Sequence, residues 1–180
     1  MRVIAGKARG HRLKAPRSRQ TRPTSDLVRG AIFSTLASLG ADLSRVLDLY
    51  AGSGALGIEA LSRGADWCDF VERNPAACAL IRSNLEATGF QDQAGVYCMS
   101  VERALPRLQP PYSLVLADPP YADSSALTLL GQVASAVQSP SGELTVVVEH
   151  SSAQEAAPTL GPLALFKTRQ YGDTQVSFYR

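Results

Sequence analysis

Asp48-Leu49-Tyr50-Ala51-Gly52-Ser53-Gly54-Ala55-Leu56-Gly57 is the stretch that decides the fold. It joins an apolar run, Arg45–Tyr50, to a segment with helical spacing from Ala55 to about Arg63, which Gly64 stops. A strand, a glycine turn and a helix in that order aim the N–H groups of the helix start at a ligand in the turn. The glycines let that ligand come close to the backbone. Glu72 ends the next predicted strand, Trp67–Glu72, 20 residues after Gly52, where its carboxylate can accept hydrogen bonds from a ribose diol. The G-x-G-x-x-G spacing alone fits a nicotinamide cofactor, another adenosine-bearing cofactor, or only a tight turn. Asp48 shifts the balance. Four residues before the first glycine, a carboxylate is a poor neighbour for a pyrophosphate and a good one for the cationic amino and sulfonium groups of S-adenosylmethionine. It also suits the turn's backbone N–H groups, and both roles can hold together.

Regular alternation continues outward from this turn. Pro75 opens a helix ending near Thr88-Gly89, Val96–Met99 reads as a third strand, Val101–Leu108 as a short helix and Ser113–Ala117 as a fourth strand. A helix across Ala126–Val137 leads to a strand over Glu143–Glu149. Two more strands, Leu163–Tyr171 and Gln175–Tyr179, flank the turn Gly172-Asp173, so they must be antiparallel. The pattern predicts an α/β layered domain with a mainly parallel sheet. Upstream, Val28, Ala31, Ile32, Thr35, Leu36 and Leu39 follow helical spacing across Ser25–Leu39, and Gly40 closes that helix. Val3–Ala5 and His11–Lys14, joined across Lys7-Ala8-Arg9-Gly10, read as a short basic hairpin, with Arg17–Pro23 a loop. The division expected is a hairpin and loop over residues 1–24 and the main domain over 25–180.

Asp118-Pro119-Pro120-Tyr121 follows the fourth strand, at the same sheet edge as the glycine turn. Two prolines end the strand and fix the backbone, and the bland alternative is a strand terminator before an exposed tyrosine. The chemistry favours more. A guanine or adenine amino group is a poor nucleophile because its lone pair is delocalised into the ring. Acceptors held at its hydrogens, such as the Asp118 carboxylate and the Pro119 carbonyl, favour a pyramidal nitrogen and stabilise positive charge as a methyl arrives. Pro119 adds no competing N–H, and Tyr121 can stack on an extruded base.

The chain resembles a known family over nearly its whole length. Asp118–Tyr121 after strand four is the signature of S-adenosylmethionine-dependent methyltransferases that act on exocyclic base amines. Arg22-Pro23-Thr24-x-Asp26, the stretch Asp48–Ala65 and the closing Tyr171-Gly172-Asp173-Thr174 resemble the bacterial small-subunit (16S) rRNA guanine-N2 methyltransferase family, RsmD. The resemblance implies a Rossmann-like class I methyltransferase fold with a seven-stranded, mainly parallel sheet and an antiparallel last strand. It also implies a guanine of 16S rRNA in the assembling small subunit as the substrate. Asp48, Ala51, Gly52, Ser53, Gly54 and Gly57 would then line the methionine and ribose end, with Glu72 on the ribose hydroxyls. Arg73 and Asn74 would flank the adenine, with Ser100 and Val101 beside it. Asp118, Pro119, Pro120 and Tyr121 would carry the chemistry, and Arg22 and Thr24 would lie at the pocket mouth. Three positions depart from the pattern: Leu27 and Gly30 stand where many relatives carry Arg and Glu, and Ser100 replaces an acid or amide.

Charge points to the same partner. The net charge of +2 divides into +8 over residues 1–30 and −6 over the rest. A basic head on an acidic body fits a polyanion, with Arg2, Lys7, Arg9, Arg12, Lys14, Arg22 and Thr24 as the RNA-binding set, and a frayed solvated terminus is the alternative. With 45% apolar and 19% charged residues, the 180-residue chain suits one globular domain and excludes a disordered or fibrous one. No apolar run approaches the roughly 20 residues of a membrane helix, and no leader is visible, so a cytoplasmic monomer is expected. Cys68, Cys78 and Cys98 form no C-x-x-C pair, read as core residues, and argue against a zinc site or disulfide framework. Competing readings are an adenine-N6 or DNA methyltransferase, a non-catalytic nucleotide or RNA-binding module, and a nicotinamide reductase. Sequence-specific DNA modification is disfavoured by the lack of a separate target-recognition domain, the binding module by intact Asp118 and Tyr121, and the reductase offers no account of Asp118–Tyr121.

Overall fold

The computed structural model describes residues 1–15, 26–120, 125–137 and 143–180. Helix α1 (Asp26–Ser38) precedes β1 (Arg45–Leu49), α2 (Ala55–Ser62), β2 (Trp67–Glu72), α3 (Pro75–Thr88) and β3 (Ala94–Cys98). Then come α4 (Val101–Ala104), β4 (Leu114–Ala117), α5 (Ala126–Val137), β5 (Thr145–Ser151), β6 (Thr159–Leu160), β7 (Leu163–Tyr171) and β8 (Thr174–Tyr179). The strands form one sheet in the order β3-β2-β1-β4-β5-β8-β7-β6. The five strands from β3 to β5 are mutually parallel, and β8 runs antiparallel between β5 and β7. This is the Rossmann-like class I methyltransferase architecture. To the seven strands expected it adds β6, a two-residue strand on the β7 edge. Among the described residues, no helix is long and apolar enough to cross a membrane, and no cluster of three or more His, Cys, Asp or Glu could hold a metal.

Several boundaries shift for local reasons. β3 begins at Ala94, two residues earlier than expected, and includes Gly95, where a Cβ would lie 2.3 Å from Asp69 Oδ1. The strand therefore needs a glycine that reads as a loop residue from sequence. The helix expected over Val101–Leu108 stops at Ala104 and tightens into a 3-10 turn at Leu105–Arg107, because Pro106 has no N–H to continue it. The N-terminal hairpin narrows to a single bridge, Arg2 to Arg12, tied by Val3 N–H to His11 O at 3.0 Å and Gly10 N–H to Val3 O at 2.9 Å.

Each sheet face carries its own core. On one, Val3, Ala8 and Leu13 of the N-terminal segment join Val28, Ile32, Phe33 and Leu36 of α1 and the inner residues of α2 and α3. On the other, Leu130, Val133 and Val137 of α5 and Val101 of α4 cover Leu47, Leu49, Val115 and Val148. Covering both faces explains why β1 is buried continuously from Val46 to Leu49.

The N-terminal segment is stapled down through its backbone. Glu59, fully buried in α2, accepts the N–H groups of Ile4 (2.8 Å) and Ala5 (3.1 Å) and the Arg63 Nε at 2.8 Å. Arg29 Nε lies 3.6 Å from the same carboxylate, and its Nη2 reaches Asp26 at 2.9 Å and the Arg2 carbonyl. Arg29 is 0% exposed, so one cation that contributes to the +8 of residues 1–30 is neutralised inside the protein. Removing one member of such a buried pair strands its partner, at a cost of about 3–5 kcal/mol. Gly6, at φ +82°, sits where a Cβ would lie 1.7 Å from the Ser62 carbonyl oxygen.

Gly57 of α2 faces β2, and a Cβ there would lie 2.3 Å from the Phe70 ring and 2.7 Å from Cys68 Sγ. Gly57→Ala should lower unfolding stability by about 1–3 kcal/mol in a urea titration, since neither neighbour can move without disturbing the core. A wild-type midpoint and slope would refute this packing argument.

Candidate active site

The sheet reverses its strand order at β1, with β2 and β3 on one side and β4 and β5 on the other. Leu49 of β1 pairs with Ala117 of β4, so the glycine turn and the Asp118 turn leave the sheet side by side at one rim. Open α/β sheets bind ligands at this switch point.

Asp48 anchors the rim. Its side chain lies on the α2 side, 1% exposed, and its Oδ2 accepts the Gly57 N–H at 2.9 Å. Oδ1 is equally buried and has no hydrogen-bond partner among the described residues. Burial pushes the Asp48 carboxyl up to about 8 against the pull of the Gly57 bond, with Glu72 adding a smaller push the same way. A buried, unsatisfied acceptor of this kind fits a cationic ammonium group and gives no welcome to phosphate.

Glu72 closes the other wall. Its Oε2 accepts the Gly52 N–H at 2.9 Å and its Oε1 accepts the Asn74 N–H at 2.8 Å, which locks the carboxylate across the turn. Each oxygen keeps lone-pair capacity for a further donor, as a ribose diol requires. Gly52 (φ +55°) and Gly54 (φ +77°) adopt left-handed conformations, and Gly54 caps α2. Ala51 donates its N–H to Val71 O, and Ser53 is buried. Gly57 does its work one layer back, through its bond to Asp48 and its contact with Phe70. Arg73 and Asn74 are exposed beyond Glu72, and the Asn74 Oδ1 is committed to the Ala76 N–H as the cap of α3. Ser100 is half-buried just before α4, and Val101 is buried behind it.

On the facing loop, Asp118 is half-buried, Pro119 buried and Pro120 exposed. Tyr121, Arg22 and Thr24 lie outside the described residues. Of the basic set, Arg2, Lys7, Arg9, Arg12 and Lys14 all expose their side chains while the intervening Val3, Ala8 and Leu13 are buried. His11 is exposed among them. The cysteines divide: Cys68 and Cys78 are core residues as expected, whereas Cys98, at the end of β3, is exposed.

Two residues at the site escaped the sequence reading. Tyr50 has φ +56°, a conformation that favours glycine, at the point where β1 enters the glycine turn. Such backbone strain, about 1–3 kcal/mol, gathers at functional turns, and nothing in the residue type announces it. Asn84 of α3, 1% exposed, is the other. Its Oδ1 accepts the Lys14 N–H at 2.9 Å, while its Nδ2 donates to Lys14 O at 3.0 Å and to Ser53 O at 2.9 Å. One amide thereby joins the basic segment to the glycine turn. A polar residue at a buried helix position was the only available signal.

The Asp48 carboxyl yields a pH test with a definite sign. With a pKa near 8 in the folded protein against 3.8 when unfolded, the folded state holds the extra proton between those values, so this group's contribution to stability falls as pH rises from about 4 to 8. A cation seated at Oδ1 favours the charged form and expels that proton. Binding of S-adenosylhomocysteine at pH 7 should therefore release a proton, measured by titration calorimetry in buffers of different ionisation enthalpy. Asp48→Asn should lose that release, and buffer-independent heats for the wild-type protein would refute the assignment.

The family model described as "Conserved hypothetical protein 95" matches residues 1–180. YlbH of Bacillus subtilis is 38% identical over 183 residues, spanning 100% of this chain and 98% of its own. The ribosomal RNA small subunit methyltransferase D of Escherichia coli is 39% identical over 121 residues, 67% of this chain, and the match spans 60% of that relative. Among solved structures, yhhF from Escherichia coli superposes with a TM-score of 0.80 at 30% identity, over 99% of this chain and 96% of that one. This chain belongs to that family, the one that includes the small-subunit rRNA methyltransferases D.

Proposed function

We propose that the protein is an S-adenosylmethionine-dependent methyltransferase that methylates the exocyclic N2 amine of a guanine in 16S rRNA, presented by the assembling small ribosomal subunit. The observation that carries this reading is the unsatisfied Asp48 Oδ1, buried one strand away from the Asp118-Pro119 turn at the switch point. A chain that buries an acceptor there is built for a donor ligand with a positive charge.

S-adenosylmethionine, when bound, supplies an electrophilic methyl on a sulfonium. Asp48 would hold its amino group, Glu72 its ribose hydroxyls, and Arg73, Asn74, Ser100 and Val101 would border its adenine. Asp118 and the Pro119 carbonyl would accept hydrogen bonds from the target amine, orienting its lone pair along the line of displacement. The target nitrogen, held by these acceptors, would lose its extra proton to solvent once methylated. Tyr121 would stack on the extruded guanine. The exposed Arg2, Lys7, Arg9, Arg12 and Lys14, with Arg22 and Thr24, would grip phosphates, making residues 1–24 an RNA-binding arm of the catalytic domain. The reading places a monomer in the cytoplasm, where small subunits assemble.

The direct test incubates the protein and S-adenosylmethionine with small subunits from a strain lacking the homologous gene. Mass spectrometry of the digested rRNA should then show one new N2-methylguanosine. Asp118→Ala should reduce transfer by at least about 100-fold, the loss expected when a preorganised charge-stabilising group is removed, while leaving cofactor affinity within a few-fold of wild type. Methylation at another base atom would overturn the guanine-N2 reading, and unchanged turnover in Asp118→Ala would overturn the catalytic assignment.

A further inference from the structure

β7 carries a feature that the fold does not require. Along the sheet face that also holds the N-terminal segment, Lys167, Arg169 and Tyr171 alternate, in register with Phe178, Val176 and Thr174 of β8. A register shift between Leu165 and Lys167 brings Phe166 to the same face, where its ring meets Phe178 edge-on at 6.2 Å and lies under the Arg180 guanidinium at 5.4 Å. Phe166 is 40% exposed, Arg169 is exposed, and Lys167 and Tyr171 are half-buried. Neither Lys167 nor Arg169 has an ion-pair partner among the described residues, and their cross-strand neighbours bear no charge. The body of the protein outside residues 1–30 is net acidic, and here two cations without ion pairs among the described residues sit between two aromatic rings.

The stripe leads to the active rim. β7 runs in the same direction as β1, β4 and β5, which brings Tyr171 and the Gly172-Asp173 turn to the rim that bears Asp118. Three strand spacings separate β4 from β7, about 14 Å, and the stripe from Phe166 to Tyr171 extends about 17 Å along the strand. A single strand leaving the active site could follow that path. Cations that track a backbone, with rings on which bases stack, are the usual elements of a single-strand groove.

We infer that Lys167, Arg169, Phe166 and Tyr171 form a second RNA-contacting surface, which holds the strand flanking the target nucleotide at the β7 end of the sheet, on the face it shares with the basic arm. The inference rests on the RNA-methylating reading above. Cations on an edge strand can also serve only to block edge-to-edge pairing of two chains, and the experiment separates the two roles.

Filter binding of a small-subunit rRNA transcript across a salt series, with Lys167→Gln, Arg169→Gln and the double variant, tests it. Two lost phosphate contacts should lower the slope of log affinity against log salt by about 1.5, equivalent to about 30-fold weaker binding at 0.1 M salt. Cofactor affinity and thermal midpoint should match wild type. Phe166→Ala in the double variant should weaken binding further. A double variant with wild-type slope and affinity, while Arg9→Glu with Arg12→Glu binds weakly, would overturn the second surface and leave the RNA reading intact. Concentration-dependent self-association of the double variant with unchanged RNA affinity would assign the cations to edge protection and overturn it too. A wild-type protein that neither binds the transcript nor methylates small subunits would overturn the RNA reading itself, and the surface with it.

Discussion

The bond from the Gly57 N–H to Asp48 is the constraint on which the site depends. It fastens the first turns of α2 to the end of β1 and holds one carboxylate oxygen in place, so the other is presented without a partner in a dry setting. Gly57 is needed at both ends of this arrangement. Its amide satisfies Asp48, and its missing side chain lets α2 lie against Phe70. The rim at the switch point is therefore set by packing behind it as much as by the loop that lines it.

A second layer of polar contacts extends this control to the N-terminal segment. Glu59 receives two of its backbone N–H groups, and Ser62 supplies both its carbonyl, to the Lys7 N–H at 2.7 Å, and its hydroxyl, to the Ala8 N–H at 3.0 Å. With the backbone so occupied, the charged tips of Lys7, Arg9 and Arg12 are free to face outward. The segment is thus an outward-facing charged surface on a fixed frame, which suits a duty of reading position on a polyanion.

Much of the fold was legible because its signals are local. The glycine turn, the period-3.6 pattern of α1 and the Pro75 and Gly89 bounds of α3 each have a mechanism that acts within a few residues. The placement of the glycine turn and the Asp118 turn at one rim was legible too, since parallel strands place their ends together. What stayed hidden depends on distant neighbours. Gly95 reads as a loop until Asp69 is known to sit beside it, and β6 is too short to have a pattern. Arg29 reads as a surface cation until Glu59 and Asp26 are seen around it. Asn84 and Tyr50 take their meaning from contacts or torsions that no spacing rule encodes.

Asn84 grips Lys14 with both ends of its amide while holding Ser53. A single side chain thereby fixes the offset between the basic segment and the glycine turn. Any shift of that segment's backbone is transmitted through this amide to the glycine turn. The exposed cations can change at their tips without straining the turn, whereas the backbone that carries them is mechanically coupled to it.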